Sequence, residues 1–429
     1  MKPSSDARFE VVVVGAGPAG MAAAVRASEA GRRVALLDDN PAAGGQIWRR
    51  GEALPHAAQH WMSRLRNSAV AHLPGMRVFD HPAAGTLRME RGGAECIELD
   101  YEKLILATGA RELFLPFPGW TLPGVFGAGG LDAMARGGLP VAGKRIVVAG
   151  TGPLLLAVAA HLAARGAKIA AVCEQAPLGR LAGFAGRLLV QPGKLVQGAG
   201  YRWSIRATPM HFGCWPVAAS GKAAVEAVSL RQGKKQWTVA CDFLACGFHL
   251  VANTELAQLL GCRIEDAFVT VDDLQQTSVN DVLCAGEPTS IGGVETALLE
   301  GQIAGLAAAG AQAEARQLAR LRRRMDGWVR GLREAYVLDP ELHGLATDTT
   351  LVCRCEDVSC GALRDFRSWR EAKLQTRCGM GPCQGRICGA ATEFLFGWRT
   401  EGTRPPIFPA LVSSLSATSA NREDPVEVA

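Results

Sequence analysis

The sequence predicts an α/β protein that contains two Rossmann-type dinucleotide-binding folds and a small cysteine-rich domain near its C-terminal end. Each fold is predicted by a run of apolar strand-forming residues, a glycine-rich turn and an alanine-rich helix. The first such stretch begins at Phe9 and the second at Lys144. The cysteine-rich domain is predicted by six of the 13 cysteines, which all fall within residues 353–388.

Length and composition limit the classes of function. A chain of 429 residues is long enough for two or three domains, and its net charge of +5 gives no reason to expect nucleic acid as a partner. Every long apolar stretch contains glycine, proline or a charge, so no membrane-spanning helix is predicted. The N-terminal residues lack the apolar region of a signal peptide. We therefore expect a cytoplasmic protein, with peripheral attachment at the inner membrane as the alternative location.

The first glycine turn has the pattern of a pyrophosphate-binding loop. The valines at 11–14 predict a strand buried on both faces, and the helix after the turn offers free N–H groups to phosphate. Gly15 permits the tight turn, Gly17 lets a pyrophosphate approach the backbone, and Gly20 lets the helix pack against the strand. The turn comprises Gly15, Ala16, Gly17, Pro18, Ala19 and Gly20.

Four later segments are expected to contact the same nucleotide. Asp38 ends the second strand, where an acid can bind an adenosine ribose. The Gly-Gly-Gln loop that follows is either an ordinary polar loop or one whose amides approach a flavin, and the preceding turn favours the flavin. The strands that end in Ala-Thr-Gly and in Gly-Glu would also pass close to the flavin. The strand that ends in Gly-Glu precedes a helix whose N-terminus can face the flavin ring. The alternative for the glutamate is a surface acid. The residues concerned are Asp38, Asp39, Gly44, Gly45, Gln46, Ile47, Thr108, Gly109, Gly286, Glu287 and Gly293.

The second glycine turn departs from the dinucleotide-binding pattern. Gly150 and Gly152 are present, but Leu155 stands where the third glycine would be. A side chain of that size is expected to push the helix off the strand or to fill the space that a dinucleotide needs. Glu174 ends the next strand and is a candidate ribose ligand. The segment is therefore either a nicotinamide or adenine nucleotide site or a retained fold without a working hydride donor.

The cysteine-rich segment predicts a metal centre. Its cysteines form a Cys-x-Cys loop and a glycine-rich Cys-x4-Cys loop, whereas zinc ribbons usually have Cys-x2-Cys knuckles at both ends. Backbone N–H groups in glycine-rich loops can point at sulfur and stabilise a negative cluster. The pattern therefore favours a [2Fe–2S] cluster over zinc. The predicted ligands are Cys353, Cys355, Cys378 and Cys383. Cys360 and Cys388 are interpreted as spare thiols.

With these motifs the chain resembles the flavoprotein α-type subunits of bacterial multi-subunit amine and amino-acid dehydrogenases. That family includes the B subunit of hydrogen cyanide synthase, the A subunit of octopine and nopaline oxidases, and the α subunits of D-hydroxyproline and dye-linked proline dehydrogenases. The similarity runs nearly end to end, and Leu155 and Glu287 match the family's own pattern. The shared motifs are VVVVGAGPAG, GGQIW, LILATGARELFLPFPGWTLPGVFGAGG, VVAGTGPLLL, CAGEPTSIGG, CRCEDV, TRCGMGPCQGR and RPPIFPAL.

The resemblance implies a fold, cofactors and an assembly. It implies a glutathione-reductase-like flavoprotein with FAD and a [2Fe–2S] cluster. In some relatives FMN lies near a subunit interface and an adenine nucleotide occupies the second fold. It also implies a heteromeric complex in which a D-amino-acid-oxidase-like FAD β subunit oxidises the C–N bond of a small amino acid or opine. A quinone or other acceptor, together with a small ferredoxin-like γ subunit, would complete the electron path. A stand-alone NAD(P)H:acceptor oxidoreductase and a non-enzymatic scaffold with structural zinc are the alternatives.

The same reasoning gives expected domain limits. A helix rich in arginine at 314–333 is interpreted as a solvated or subunit-facing linker. The expected parts are an FAD-binding domain (1–120 and 266–312), a second nucleotide-binding domain (121–265), the linker helix (313–345), a small [2Fe–2S]-binding domain of the bacterioferritin-associated-ferredoxin type (346–412) and a mobile tail (413–429).

Overall fold

The computed structural model describes residues 9–48, 54–92, 95–188, 192–399 and 402–416. The strands, in chain order, are β1 (Phe9–Val14), β2 (Val34–Asp38), β3 (Ala71–Pro74), β4 (Met76–Ala83), β5 (Thr86–Arg91), β6 (Glu95–Leu106), β7 (Ala110–Glu112), β8 (Val125–Gly127), β9 (Arg145–Gly150), β10 (Lys168–Glu174), β11 (Met210–Phe212), β12 (Cys214–Ser220), β13 (Ala227–Gln232), β14 (Lys235–Ala240), β15 (Phe243–Gly247), β16 (Leu250–Ala252), β17 (Ile264–Glu265), β18 (Phe268–Val269), β19 (Val282–Cys284), β20 (Leu351–Cys353) and β21 (Val358–Ser359). The α-helices are α1 (Pro18–Glu29), α2 (Gly45–Trp48), α3 (His56–Arg66), α4 (Ala128–Arg136), α5 (Pro153–Ala164), α6 (Leu178–Leu188), α7 (Pro192–Ser204), α8 (Glu255–Leu259), α9 (Val294–Ala308), α10 (Gln312–Arg323), α11 (Asp326–Ala335), α12 (Trp369–Thr376), α13 (Cys388–Phe396) and α14 (Val412–Ser416), with 3-10 turns at Pro340–Gly344 and Gly361–Leu363.

The described residues fall into two compact units. The first holds those up to Ala110, those of Ala252–Asp326 and those from Gly402 on, and the second holds Arg111–Val251 and Gly327–Glu401. These divisions differ from the expected limits at 120 and 266. The cysteine-rich segment also falls within the second unit, because its helix α13 packs on the apolar core of the second nucleotide fold.

The first unit is built on a seven-stranded sheet. Its strand order is β3-β2-β1-β6-β5-β4, and β19 also pairs with β6. Strand β1 lies between β2 and β6 in parallel, which explains why Val11, Val12 and Val13 are fully buried. Strand β6 pairs with β5 in its first half and ends at Leu106, directly before the Ala-Thr-Gly segment, so one strand belongs to both parts of the sheet.

Helices α1 and α9 of the first unit cross at very short range. A Cβ atom on Gly301 would lie 2.1 Å from the carbonyl oxygen of Ala19, and one on Gly305 would lie 2.2 Å from that of Ala23. Because no side chain fits at either glycine, the two helices touch through their backbones. This contact places the N-terminus of α9 beside the glycine turn that precedes α1.

The second unit contains a five-stranded sheet of order β11-β10-β9-β15-β8, whose pairings are parallel. A three-stranded antiparallel sheet, β12-β13-β14, lies against one face, and α4, α5 and α7 contribute to the core on the other. The cysteine-rich segment attaches to this unit through ordered contacts. The indole N–H of Trp120 donates to the carbonyl oxygen of Leu351 at 2.6 Å, and the rings of His343 and Phe394 stack with centroids 4.0 Å apart.

The arginine-rich linker and the C-terminal tail differ from the sequence-based prediction. The linker is not a single helix, because α10 ends at Arg323 and α11 begins at Asp326. The intervening Met325 turns inward, where its sulfur accepts the hydroxyl of Thr296 at 3.7 Å. Of the predicted tail, residues up to 416 belong to α14, and 417–429 lie outside the described residues. Among the described helices, none is both long and apolar enough to cross a bilayer.

The backbone contact between α1 and α9 gives a first prediction. Replacing Gly301 with alanine forces the two helices apart and should lower the free energy of unfolding by about 1–3 kcal/mol, the usual cost of overpacking a core. Gly198 provides a matched control, because it lies inside α7 with no atom within 4 Å of a Cβ. Gly198→Ala should leave stability unchanged or raise it by up to about 1 kcal/mol. Urea unfolding of both variants measures the difference, and equal midpoints would contradict the packing argument.

Candidate cofactor sites

Two glycines in the first turn are required by the fold itself. Gly15 has φ of +105°, and a Cβ there would lie 2.2 Å from the carbonyl oxygen of Ala107. A Cβ on Gly20 would lie 1.7 Å from the carbonyl oxygen of Gly15. The strand, the turn and the helix therefore pack at backbone contact, as the sequence pattern predicts.

Gly17 is different, because the fold leaves space beside it. Its φ of −73° suits any residue, and the nearest atom to a Cβ placed there is the Cα of Gly45 at 3.8 Å. It precedes helix α1, which begins with Pro18 and has no side-chain cap and no acid in its first turn. An uncapped helix N-terminus beside a glycine with free space is suited to a pyrophosphate, so the turn fits the nucleotide expected there.

Asp38 fixes the glycine turn to the end of β2. One of its carboxylate oxygens accepts the N–H of Ala16 at 2.5 Å, and the other accepts the N–H of Asn40 at 2.8 Å. The side chain is buried. The oxygen bonded to Asn40 also accepts the side-chain amide of Asn40 at 2.7 Å, whereas the oxygen bonded to Ala16 keeps a second lone pair that can accept a ribose hydroxyl. Asp39, next in the chain, is exposed.

The Gly-Gly-Gln loop folds back over the first turn. The N–H of Gly44 donates to the carbonyl oxygen of Ala16 at 2.8 Å. Gly45 has φ of +58°, and a Cβ on it would lie 2.8 Å from the Cα of Gly17. Gln46 and Ile47 occupy the exposed side of the short helix α2. The structure therefore brings this loop and the glycine turn together at the place where a pyrophosphate would lie.

The Ala-Thr-Gly segment is held by a reciprocal contact with Asn253. The hydroxyl of Thr108 donates to the carbonyl oxygen of Asn253 at 2.6 Å, and the Asn253 amide donates to the carbonyl oxygen of Thr108 at 2.9 Å. Gly109 follows with φ of +68°. The chain is thereby fixed directly after β6, beside the glycine turn.

The Gly-Glu segment after β19 contains a polar group that the fold leaves unpaired. Glu287 is partly buried, and its carboxylate has no hydrogen-bond partner among the described residues. Burial, and next the charge of Glu300, raise the pKa of Glu287. The hydroxyl of Ser290 in the same loop is buried and likewise lacks a partner in the described part of the chain. Gly293 then caps α9 with φ of +82° and no side-chain hydrogen bond. A loop with an unpaired carboxylate and hydroxyl fits the polyhydroxyl chain and polar edge of a flavin.

Glu300 is a residue of this site that the sequence analysis missed. It lies on α9, is fully buried, and accepts the N–H of Gly286 at 2.9 Å and the hydroxyl of Thr289 at 3.0 Å. Its other oxygen accepts a hydrogen bond from Nε of Arg322 at 2.9 Å. The signal in the sequence was a single acid within the apolar run ALLEGQIAG. Arg322 thus shows that one arginine of the arginine-rich segment, which is interpreted as a solvated or subunit-facing linker, pairs with a buried acid.

The second glycine turn is closed by the protein's own carboxylate. Glu174 accepts the N–H of Gly152 at 2.8 Å and the hydroxyl of Thr151 at 2.6 Å, and burial raises its pKa. Gly152 has φ of +109°, unlike Gly17, so α5 leaves this turn along a different path. That path lets Leu155 pack in the core beneath the helix, where it is 2% exposed.

The first turn of α4 in the same unit is also occupied. The N–H groups of Gly129 and Gly130 donate to the two carboxylate oxygens of Glu112 at 2.8 and 3.0 Å. Burial raises the pKa of Glu112. Gly150, with φ of +137°, packs directly on Gly247, where a Cβ would lie 1.9 Å from the carbonyl oxygen. Side-chain carboxylates of the chain therefore accept hydrogen bonds from backbone N–H groups at the N-termini of α4 and α5.

Five of the six cysteines in the C-terminal segment form one group of sulfurs. Cys353, Cys378 and Cys388 are buried, and their sulfurs lie within 4.8 Å of one another. The thiols of Cys388 and Cys355 lie beside that of Cys383 and affect its pKa. The structure brings Cys388, which the sequence analysis interprets as spare, into the group at the start of helix α13. Cys360 is buried outside the group.

The surroundings of the Cys383 sulfur favour its thiolate form, whereas those of Cys355 do not. The neighbouring thiol of Cys388, followed by the backbone N–H groups of Ile387 and Gly385, lowers the pKa of Cys383 to about 5. Although the backbone N–H of Cys383 lowers the pKa of Cys355, burial and next the charge of Cys383 raise it overall. Thiolates are the form that binds metal, so the donor set fits a cluster bound by cysteine.

Two glycines bring the cysteine loops together. A Cβ on Gly381 would lie 2.2 Å from the Cβ of Cys355, and one on Gly379 would lie 2.5 Å from the indole ring of Trp369. The loop 378–383 therefore approaches the loop 353–355 at a distance that only glycine permits. Cys355 itself is exposed, so one end of the sulfur group reaches the surface.

Comparisons with known proteins agree with this geometry. Residues 9–313 match the family described as pyridine nucleotide-disulphide oxidoreductase. The chain is 32% identical to HcnB, a subunit of the hydrogen cyanide synthase of Pseudomonas aeruginosa, over 422 residues, which covers 88% of this chain and 90% of the relative. It is 30% identical to the A subunit of the opine oxidase of Rhizobium meliloti over 427 residues, which covers 89% of this chain and 90% of the relative.

Solved structures share the fold. L-proline dehydrogenase from P. horikoshii matches with a TM-score of 0.66 and 18% identity over 95% of this chain and 79% of its own. Thioredoxin reductase from T. acidophilum matches with a TM-score of 0.55 and 20% identity over 71% of this chain and 99% of its own. At these identities the likeness concerns the fold alone.

The fold and the glycine turns thus define a flavoprotein oxidoreductase. The chain belongs to the pyridine nucleotide-disulphide oxidoreductase family and, within it, to the group of subunits that includes HcnB and the A subunit of opine oxidase. The predicted fold class and the predicted family resemblance are both confirmed.

The free space beside Gly17 gives a prediction that separates binding from folding. Gly17→Ala should keep the free energy of unfolding of the FAD-free chain within about 1 kcal/mol of the original, because a methyl group meets no atom closer than ordinary contact distance. The same methyl group would stand where the pyrophosphate approaches, so affinity for FAD should fall at least about tenfold. FAD titration and urea unfolding measure the two effects. Gly20→Ala is the contrasting variant and should lose stability, and FAD binding unaffected by Gly17→Ala would contradict this placement.

Proposed function

We propose that this chain is the FAD- and [2Fe–2S]-containing electron-transfer subunit of a heteromeric dehydrogenase or oxidase. The complex would oxidise a C–N bond of a small amino acid or opine, of the hydroxyproline, proline, octopine or nopaline, or glycine class. Oxidation of the substrate would take place on a partner FAD subunit. The observation that supports this most directly is the presence, in one chain, of a flavin-type glycine turn and a group of buried cysteine sulfurs.

The names of the relatives support the assembly. HcnB of hydrogen cyanide synthase, the A protein of opine oxidase and the alpha protein of the sarcosine oxidase of Corynebacterium are all named as subunits. We therefore propose partner subunits for this chain. We propose a D-amino-acid-oxidase-like FAD protein as the β subunit, with FMN at an interface and a ferredoxin-like γ subunit as further components. A quinone or another carrier would be the final acceptor.

The flavin-binding residues would have separate tasks. The N–H groups at the start of α1 and the backbone at Gly17 and Gly45 would hold the pyrophosphate. Asp38 would bind the adenosine ribose while it keeps the turn in place. Glu287 would bind the ribityl hydroxyls, since its carboxylate has no other partner among the described residues. When bound, FAD would supply the exchange between two-electron and one-electron transfer.

The sulfur group would hold the cluster, which requires two pairs of thiolates. Cys355 and Cys383 would form the outer pair. Cys388 would belong to the inner pair, because its thiol contacts both Cys383 and Cys378. Cys353 or Cys378 would supply the fourth ligand, which leaves one thiol beside the cluster. A mononuclear zinc site is the alternative that the inner three sulfurs alone would permit.

The second nucleotide fold would not transfer hydride from NAD(P)H. Its turn N–H is bonded to Glu174, the start of α4 is bonded to Glu112, and Leu155 fills the core at the position of the third glycine. The stand-alone NAD(P)H:acceptor oxidoreductase is therefore the less favoured function. An adenine nucleotide bound in this fold as a structural component remains part of the proposal, with Gly150, Gly152 and Glu174 as its contacts.

The proposal predicts the spectroscopic properties of the purified chain. Material handled anaerobically should show flavin absorbance and contain about two iron atoms per chain. Addition of NADH should leave the flavin oxidised, and the isolated chain should oxidise amino acids only slowly without its partner. A visible spectrum, metal analysis and an NADH titration measure these properties. A colourless protein with zinc, or rapid bleaching of flavin by NADH, would overturn the proposal in favour of one of the two alternatives.

The sulfur geometry predicts which thiols hold iron. Cys383→Ser and Cys388→Ser should each lose most of the iron, because these thiols connect the outer and the inner sulfurs. Cys360→Ser is the matched control, since Cys360 is buried in the same segment but lies outside the group, and it should keep its iron. Iron analysis and visible circular dichroism distinguish the three variants. Retention of iron by Cys388→Ser would restore the sequence-based ligand set.

A further inference from the structure

We propose that Glu300 and Arg322 are positioning residues for the flavin site, which hold the loop 286–289 so that Glu287 is presented to the bound cofactor. The inference rests on the proposed FAD site. It adds two residues that touch no cofactor themselves and act through the backbone of the loop.

The contacts of Glu300 all lead to this loop or to Arg322. One carboxylate oxygen accepts the N–H of Gly286 at 2.9 Å and the hydroxyl of Thr289 at 3.0 Å. These two donors lie on either side of Glu287 in the chain. A single carboxylate oxygen therefore fixes the backbone both before and after the acid that would bind the flavin.

The charge of Glu300 is matched by one cation. Arg322 donates from Nε to the second oxygen at 2.9 Å, and its terminal nitrogen lies 2.9 Å from the same atom. Arg322 also pairs with Asp326 one turn further on. Glu300 is fully buried, whereas the side chain of Arg322 is 22% exposed. The pair thus joins the buried helix α9 to the surface helix α10.

The energetics argue for a role beyond stability. A buried ion pair is seldom more stable than an apolar pair of similar size, and replacing one often leaves stability unchanged or raises it. Here the buried acid stands in the buried stretch of α9, directly before Gly301, which contacts α1. A carboxylate at this position is costly unless its particular hydrogen bonds are needed. What those bonds fix is the loop that contains Glu287 and Ser290.

The pair also determines which carboxylate remains available. Glu287 and Glu300 lie close enough for each charge to be felt at the other, and the described residues give only Glu300 a cationic partner. With Glu300 held by Arg322 and two loop donors, Glu287 is the acid left to bind flavin hydroxyls. Loss of Arg322 would leave a second uncompensated carboxylate beside the cofactor and should shift the flavin midpoint potential to a more negative value.

Substitutions in the full-length chain test this role. Glu300→Gln keeps the shape of the side chain but loses the charge and one acceptor oxygen, and Arg322→Met removes the cation. Arg323→Gln is the matched control, because it removes a neighbouring arginine whose partner, Asp273, is exposed on the surface. The double variant Glu300→Met with Arg322→Met removes both charges together, so it should fold even if a single variant does not.

Three measurements are made on each variant: FAD titration of the FAD-free chain, the flavin midpoint potential, and the thermal midpoint without FAD. We expect Glu300→Gln and the double variant to bind FAD at least about tenfold more weakly, while the control binds normally. The double variant should recover most of the thermal stability lost by the single variants, but not the affinity. Arg322→Lys keeps a positive charge at this position. Its flavin midpoint potential should therefore lie closer to that of the original chain than the potential of Arg322→Met does.

Two different failures can be told apart. If the unaltered chain binds no FAD, the proposed function is wrong. If it binds FAD, and the double variant binds with the same affinity and potential, then the pair only stabilises the fold and this inference is overturned.

Discussion

Backbone contact around the first glycine turn is the constraint on which the first unit depends. The backbone of Ala107, directly after β6, contacts Gly15, and Gly20 of helix α1 contacts the same turn. Helix α9 contacts α1 through Gly301. A side chain at any of these glycines would separate elements that need to touch. Of the three glycines in this turn, Gly17 is the one that retains space, and that space is where a phosphate can approach.

Main-chain patterns made most of the fold predictable from the sequence. Consecutive valines, glycines at fixed spacing and alanine-rich helices identify two nucleotide folds because these requirements are local. Residues whose function depends on distant partners were not predictable in the same way. Glu300 is explained only by Arg322, which lies on another helix, and Cys388 becomes a candidate ligand only when α13 turns its thiol towards Cys383.

The two nucleotide folds share one hydrogen bond at the glycine turn, but the surroundings of the turn differ. In each fold the acid at the end of the second strand accepts an N–H of the glycine turn, Asp38 from Ala16 and Glu174 from Gly152. In the first fold this leaves the N-terminus of α1 without a side-chain cap and Gly17 with space beside it. In the second, a different φ at the turn lets Leu155 enter the core. The sequence shows the substitution at the third glycine, but the altered path of the helix requires the tertiary structure.

Strand β6 belongs at once to the antiparallel hairpin of β4 and β5 and to the parallel nucleotide-binding layer. Side chains alternate between the faces of a strand, so deleting one residue between its two halves would invert every contact on one side of the deletion. The hairpin tip can therefore change in length without consequence for the rest of the sheet. Strand β6 has no such freedom. Insertions and deletions among related sequences should therefore fall in the turns that flank β6 and not within the strand.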